Sequence, residues 1–278
     1  MFILVGLGLG DEADITVRGL EATKKADIVF LESYTSFLIH CNVESLKAFL
    51  GKDVIVADRE AVESGEVLLL AKEKIVVLLV AGDVFGATTH SDLVVRCKQL
   101  GIPCSVIHNA SIVNVVGCCG LQLYRFGQVL SLCFFTPTWQ PDSWYEKFLS
   151  NRKAGIHTLF LLDIKVKEVS NENLARNRKI FEPPHYMTVH EAVQQIFTVE
   201  QRRGGGAIST TTPLVGLARI GSRTQKIVLG TATELERVDF GPPLHSLIVP
   251  GEIHECEMDL LSYFRCEYSN SCFILCLS

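Results

Sequence analysis

The residues of this chain that could do chemistry gather at the ends of short apolar runs. FILV leads into three alternating glycines, Gly6, Gly8 and Gly10. VVLLVA leads into Gly82, Asp83 and Gly86, with the hydroxyls of Thr88 and Thr89 behind them. CSVI leads into His108, Asn109 and Ser111. Glycine at a strand end lets another molecule approach the backbone where a Cβ would block it. A carboxylate beside backbone donors can hold a ribose or the amino-acid portion of a ligand by charge-assisted hydrogen bonds. Together these features predict a small-molecule pocket built from strand ends. Each also has an architectural reading: the glycines as a tight strand-to-helix turn, Asp83 as an Asx turn and Ser91 as a helix cap.

The glycine turn does not fit a dinucleotide fingerprint, which needs glycine at the first, third and sixth positions; the sixth here is Asp11. Glu32, ending the second apolar run, would suit a ribose hydroxyl, but acidic residues are common there. Asp83, His90, His108 and His245 are the candidate proton acceptors, but water could serve and such histidines are more often satisfied structural residues, so no catalytic residue is assigned. His254 with Cys256, and Cys272 with Cys276, lack the second ligand pair of a zinc site, so no structural metal is expected. Cys97, Cys104, Cys118, Cys119 and Cys133 lie in apolar stretches and read as reduced, small hydrophobic residues.

A chain of 278 residues, 48% hydrophobic and 21% charged, can bury a substantial core and is not a disordered polymer. Its net charge of −5 argues against a surface built to neutralise nucleic-acid phosphates. Apolar runs fall short of the roughly 18 residues that span a bilayer, and the opening lacks the basic flank of a signal peptide. A soluble, cytoplasmic protein without a membrane partner is expected.

Strands are predicted at 2–5, 28–31, 53–57, 75–81 and 104–108, with helical spacing at 17–25, 60–73 and 91–100. Strand and helix alternate, which implies a parallel α/β sheet, and Thr16 can cap the first helix. After an apolar helix at about 111–124 the texture changes, placing a domain boundary near residue 125: an N-terminal parallel α/β domain over 1–124 and a C-terminal α/β domain with a mixed sheet over 125–278. In the latter, strands are expected at 129–135, 156–164, 213–220, 226–229 and 244–249, with helices near 142–152 and 189–203. The second helix opens on a capping box, Thr188 to Glu191. The glycine-rich stretch 202–212 reads as a flexible loop, and the apolar tail SCFILCLS as a segment that packs on a core or a partner. Trp139 and Trp144 in an exposed loop, and the basic stretch 165–179, are candidate docking surfaces.

The opening GLGLGDEADITVRGLEATKKADIVFLES resembles the signature of the tetrapyrrole methylase class of S-adenosylmethionine-dependent methyltransferases. Within that class, ESYTS, VADRE, GDVFGATTHSDL, IHNASI, GCCGLQLYRFG, LLDIKVKE, EPP, VGLARIG and PLHSLI, in that order over residues 1 to about 260, resemble the diphthine synthases, and GCCGLQLY the eukaryotic form. The stretch 62–74 is shorter than in that family, and the loop 203–212 is richer in glycine.

The resemblance implies two α/β domains with the cofactor S-adenosyl-L-methionine in an inter-domain cleft, left as S-adenosyl-L-homocysteine after transfer. It implies cofactor contacts at Leu9, Asp83, Gly86, Ser111, Ile112, Leu162, Ile220 and His245, and a homodimer. The implied substrate is translation elongation factor 2, methylated on the 3-amino-3-carboxypropyl group of one histidine in diphthamide biosynthesis. The amine would be trimethylated and, in the eukaryotic type, the carboxylate also methylated. Competing readings are a methyltransferase of the same class acting on a tetrapyrrole precursor, and a non-catalytic protein that binds elongation factor 2.

Overall fold

The computed structural model describes residues 1–34, 36, 38, 41–166 and 181–266. The chain divides into two units, Met1–Val115 and Val116–Ser278, each built on its own sheet.

In the first unit, β1 (Phe2–Gly6), β2 (Ile28–Glu32), β3 (Ile55–Ala57), β4 (Val76–Val80) and β5 (Cys104–Ile107) form a parallel sheet in the order β3-β2-β4-β1-β5. Helices α1 (Val17–Lys25), α2 (Val43–Leu50), α3 (Arg59–Ser64), α4 (Glu66–Leu70), α5 (Ser91–Gln99) and α6 (Ile112–Val115) lie between and after the strands. β1 and β4 are buried throughout because both sheet faces are covered, which is why their sequences are continuous apolar runs. Alternate residues feed two cores. Phe2, Leu4, Leu78 and Val80 pack with Val62, Leu68, Leu93 and Cys97 from α3, α4 and α5. Ile3, Val5, Val77 and Leu79 pack with Leu20 of α1 and with Leu46 and Leu50 of α2. The connection from β1 to β2 therefore crosses one face and that from β4 to β5 the other. Neighbouring strands whose connections depart over opposite faces leave a crevice beyond their carboxyl ends.

Thr16 caps α1 by accepting from the Gly19 N–H at 3.0 Å, as expected. Ser91 does not cap α5; it is the helix's first residue, after His90, and no side-chain cap bond is made there. The stretch 60–73 is two helices, because Gly65 takes a left-handed conformation and breaks it. α2 is absent from the expectations although Asn42 and Ser45 form a reciprocal cap at its start. The apolar stretch 111–124 holds one α-helical turn, α6, followed by a 3-10 turn at Val116–Cys119.

The second unit contains β6 (Leu130–Leu132), α7 (Tyr145–Lys153), β7 (Thr158–Leu162), β8 (Ile164–Lys165), β9 (His185–Tyr186), α8 (Val189–Arg203), β10 (Leu214–Ala218), β11 (Lys226–Gly230), α9 (Ala232–Leu235), β12 (His245–Val249) and α10 (Glu255–Leu261). Its sheet runs β11-β10-β12-β7-β6 and is mixed: β6 and β7 are parallel, and the other pairs antiparallel. β8 and β9 form a separate ribbon. The Thr188–Glu191 capping box opens α8, whose Ala192, Val193, Ile196 and Val199 enter the core with Phe148, Phe160 and Leu247. Trp144 belongs to this core at 5% exposure, edge-on to Phe160, so of the two tryptophans only Trp139, at 55%, is on the surface. The glycine-rich loop is not loose. Gly206 and Ala207 donate to the Glu200 carboxylate, and Gly205 to the Tyr145 hydroxyl, which itself donates to Glu200. Most of the basic stretch and the apolar tail lie outside the described residues.

Candidate functional site

Beyond the last paired residues of β1 and β4, Gly8 and Gly82 close a small antiparallel bridge. The Gly8 N–H donates to the Gly82 carbonyl at 3.2 Å, and the Gly82 N–H to the Gly8 carbonyl at 2.7 Å. Both have left-handed φ, 81° and 78°, which residues with a Cβ adopt only at a cost. The N–H groups of Leu9 and Gly10 donate to Asp14 Oδ2, at 3.2 and 2.8 Å. These donors are thus already matched to an anion from the chain itself, and the turn is no cradle for a pyrophosphate.

Asp83 joins the carboxyl ends of β4 and β5. Its Oδ1 accepts from the Phe85 N–H at 2.9 Å, an Asx turn, while Oδ2 accepts from the Asn109 N–H at 2.9 Å and faces His108 Nδ1 at 2.9 Å. Burial pushes this carboxyl up, and the three donors outweigh it, holding Asp83 below the ordinary carboxylate value. A Cβ placed on Gly86 would lie 2.5 Å from Ser111 Cβ and 3.4 Å from Asp83 Cβ, so only glycine allows that approach. One placed on Gly82 would lie 3.8 Å from Ser111 Cβ and 3.9 Å from Leu9 Cδ2. Leu9, Gly82, Asp83, Gly86 and Ser111 therefore converge at one end of the sheet, with Ile112 starting α6 directly after Ser111.

Other residues singled out at this edge are committed elsewhere. The Thr88 hydroxyl donates to the Val84 carbonyl within its own turn. Glu32 is buried and accepts from the Tyr34 N–H, so it offers nothing to a ribose. His90, 1% exposed, lies with Nδ1 3.3 Å from the Val84 carbonyl and Nε2 3.8 Å from Glu32. His108 is the exception, with 64% of its side chain exposed.

In the second unit, Leu162, Ile220 and His245 come to one end of the mixed sheet. Leu162 closes β7, and His245 opens β12, paired with Ala218 at the end of β10 two residues before Ile220. The registers Ser246↔Leu161 and Ala218↔His245 fix that common end. His245 Nε2 lies 3.2 Å from the Gly241 carbonyl and 3.1 Å from that of Pro242, so Nε2 carries the ring proton. Nδ1 is then a buried acceptor with no partner among the described residues, and burial lowers the pKa of the ring.

Three roles that organise the two edges carry no such expectation: the Asp14 carboxylate in the glycine turn, the Asn109 side-chain amide, which donates to the Gly6 and Asp14 carbonyls, and the Arg219 guanidinium. Arg219 has a left-handed φ of 50° and donates to the carbonyls of Thr224, Phe240 and Pro242. The DEAD and ARIG stretches contain the first and last of these, but spacing alone does not mark them.

Among the described residues no group of three or more histidine, cysteine or acidic side chains could hold a metal ion, and no helix is long and apolar enough to cross a membrane.

Residues 1–236 match the family model of the tetrapyrrole (corrin/porphyrin) methylases. The chain is 54% identical over 267 residues to the diphthine methyl ester synthase of Candida glabrata, covering 95% of this chain and 90% of that one. It is 52% identical to the Saccharomyces cerevisiae protein of the same description, covering 95% and 89%. A crystal structure from Entamoeba histolytica, provisionally assigned as a diphthine synthase, superposes with a TM-score of 0.85 at 49% identity, covering 95% of this chain and 98% of that one. On the match of fold, family model and sustained identity, the chain belongs to the tetrapyrrole methylase family.

Proposed function

We propose that this chain is an S-adenosylmethionine-dependent methyltransferase acting on the 3-amino-3-carboxypropyl group of a modified histidine in translation elongation factor 2, in diphthamide biosynthesis. It adds three methyl groups to the amine and a fourth to the carboxylate. The observation that carries this reading is identity of 54% sustained across 95% of the chain to an enzyme named for the methyl ester product. In this reading the protein works in the cytoplasm, as a homodimer, with no direct nucleic-acid partner.

The residues present suit the cofactor. Gly82 leaves space beside Leu9 and Ser111 that a Cβ would fill, Gly86 lets Ser111 close against the Asp83 turn, and His245 Nδ1 is a buried acceptor awaiting a donor. Leu9, Asp83, Gly86, Ser111 and Ile112 from the first unit, and Leu162, Ile220 and His245 from the second, are the proposed contacts. When bound, the cofactor supplies an electrophilic methyl group on a sulfonium that is its own leaving group. The chain then needs no covalent nucleophile. Its task is to align the acceptor atom and exclude water, a contribution of up to ~7–11 kcal/mol when alignment is good. The ionised Asp83 adds a fixed negative charge that suits a cationic donor. Each nitrogen methylation also needs a neutral amine, so a proton must leave before each of three rounds; the carboxylate needs no such step.

The test is incubation of the purified protein with elongation factor 2 bearing the unmethylated side chain and labelled S-adenosylmethionine, followed by mass spectrometry of the modified peptide. Four added methyl groups are expected. Three would restrict the product to the trimethylated amine, and none would overturn the reading.

A further inference from the structure

The structure separates the four candidate proton acceptors. His90 is buried against Glu32, and His245 is buried with Nε2 turned to two carbonyls. Asp83 is engaged by three donors and held ionised. His108 stands at the carboxyl end of β5 with 64% of its side chain exposed and Nδ1 2.9 Å from Asp83 Oδ2. An ionised carboxylate only accepts, so the contact places a proton on Nδ1, and the neutral ring keeps a lone pair on Nε2. The Asn109 N–H bonds the same Oδ2, so the carboxylate is anchored while it orients the ring. Among the described residues, the groups set against the imidazole are this carboxylate, from the loop after β4, and the Phe85 ring at 5.7 Å from the loop's next turn. A carboxylate so placed fixes the tautomer and stabilises the imidazolium formed when the far nitrogen takes a proton.

We propose that His108, oriented by Asp83, is the general base that deprotonates the acceptor amine before each nitrogen methylation, a proposal that rests on the function proposed above. The N–H bond of the acceptor ammonium breaks, its electron pair staying on nitrogen as the attacking lone pair, and an N–H bond forms at His108 Nε2. The imidazolium returns the proton to water before the next round. Asp83 is a positioning residue in this step. Methylation of the carboxylate, already ionised, does not use the pair.

The experiment compares two acceptors, elongation factor 2 with the unmethylated amine and with the amine already trimethylated, in the wild type and in His108→Gln, His108→Ala and Asp83→Asn. General-base catalysis is typically worth about 10²–10⁴-fold. Methyl transfer to the amine should fall by at least about 10²-fold in His108→Gln, with a pH profile altered from that of the wild type. Transfer to the carboxylate should fall by less than a tenth of that factor, and calorimetry should find the affinity for S-adenosylmethionine retained in both His108 variants. Independently of activity, ¹⁵N NMR should find the ring proton on His108 Nδ1 in the wild type and redistributed in Asp83→Asn. Wild-type amine methylation with an unaltered pH profile in His108→Gln, or equal loss on both acceptors, would overturn the proposal alone. Transfer to neither acceptor by the wild type would overturn the function reading and this proposal with it.

Discussion

The side-chain amide of Asn109 donates to the carbonyl of Gly6 at 3.0 Å, joining two strand ends that lie 103 residues apart in the chain. The same amide reaches the Asp14 carbonyl at 2.9 Å, and Asn109 Oδ1 accepts from the Ala110 N–H at 2.7 Å. A Cβ on Gly6 would come within 2.9 Å of Asn109 Cβ, so the contact needs the glycine as much as the asparagine. The crevice that topology leaves beyond β1 and β4 is therefore clamped by a side chain from beyond β5.

Removing the clamp should cost stability and cofactor affinity together. Asn109→Ala abandons two carbonyls and one N–H, an expected loss of about 2 kcal/mol. Asn109→Asp should be at least as harmful, because it keeps the acceptor for Ala110 but turns a carboxylate toward the Gly6 and Asp14 carbonyls. Urea unfolding and calorimetry with S-adenosylmethionine check both. Affinity undiminished in a destabilised variant would mean the clamp serves the fold and not the pocket.

Gly86 and Ser111 make a second pair that can be tested by compensation. Gly86→Ala drives a methyl group into Ser111, at a cost of about 1–3 kcal/mol for overpacking, and should weaken cofactor binding at least tenfold. Adding Ser111→Gly removes both atoms that the methyl meets, so the double variant should recover stability relative to Gly86→Ala. Strictly additive losses in that double-mutant cycle would show that the two sites are not in contact.

The regular part of this fold is legible in the sequence wherever a local signal and a burial pattern agree. α1 has Thr16 before it, α8 has its capping box, and β1 and β4 are uninterrupted apolar runs because parallel strands are buried on both faces. α2 has a cap and a terminal Gly51, but it follows a stretch with no periodicity to set its beginning. Trp144 sits among prolines and polar residues that read as surface, yet it packs on Phe160 from a distant strand. The site was legible as strand ends and not as a constellation. That Ser111 meets Gly86 follows from β4 and β5 flanking β1, which no spacing along the chain encodes. The eight proposed contacts came from resemblance, because backbone donors and a left-handed arginine have no signature in residue type.

Glu257 is the hub of a buried polar cluster in the second unit. It is fully buried and accepts from the Gln122 N–H at 2.9 Å, the His254 N–H at 2.8 Å and His157 Nε2 at 3.0 Å. The Gly251 N–H donates to His157 Nδ1, which confirms that the imidazole proton is on Nε2. Burial pushes Glu257 up, but its donors hold it below its ordinary value, and burial lowers His157 despite the carboxylate beside it. Both folded values lie below the unfolded ones, so their stabilisation is complete above the ordinary histidine value of 6.5 and is lost on acidification. The loss begins with His157 below about 6.5 and continues with Glu257 below about 4.5. Glu257→Gln places an amide among donors and should cost about 3 kcal/mol or more at pH 7. It should also flatten the lower part of the profile. Urea midpoints measured from pH 7.5 to 4 decide the matter, and a variant that tracks the wild type at constant offset would contradict the assignment.

Arg219 and His245 form a positioning chain in the other sheet end. The guanidinium donates to the Phe240 carbonyl at 2.7 Å and to that of Pro242, and the Arg219 N–H to the Leu244 carbonyl at 2.8 Å. The Gly241 and Pro242 carbonyls are the ones that hold the proton on His245 Nε2 and leave Nδ1 as the acceptor. His245→Phe removes that acceptor and should weaken S-adenosylmethionine binding about tenfold, since a hydrogen-bond donor left buried and unpaired costs about 1–3 kcal/mol. Arg219→Met should weaken it comparably without touching the ligand, and should lower stability as well, because the carbonyls lose their shared donor. Burial lowers His245, so at neutral pH the ring is uncharged and able to accept. As pH falls below the ordinary histidine range toward the depressed value, protonation at Nδ1 turns the acceptor into a donor, and affinity should fall with it. Calorimetry between pH 8 and 5 measures this directly. Binding that strengthens on acidification in the wild type, or that keeps the same pH dependence in His245→Phe, would remove His245 Nδ1 from the site.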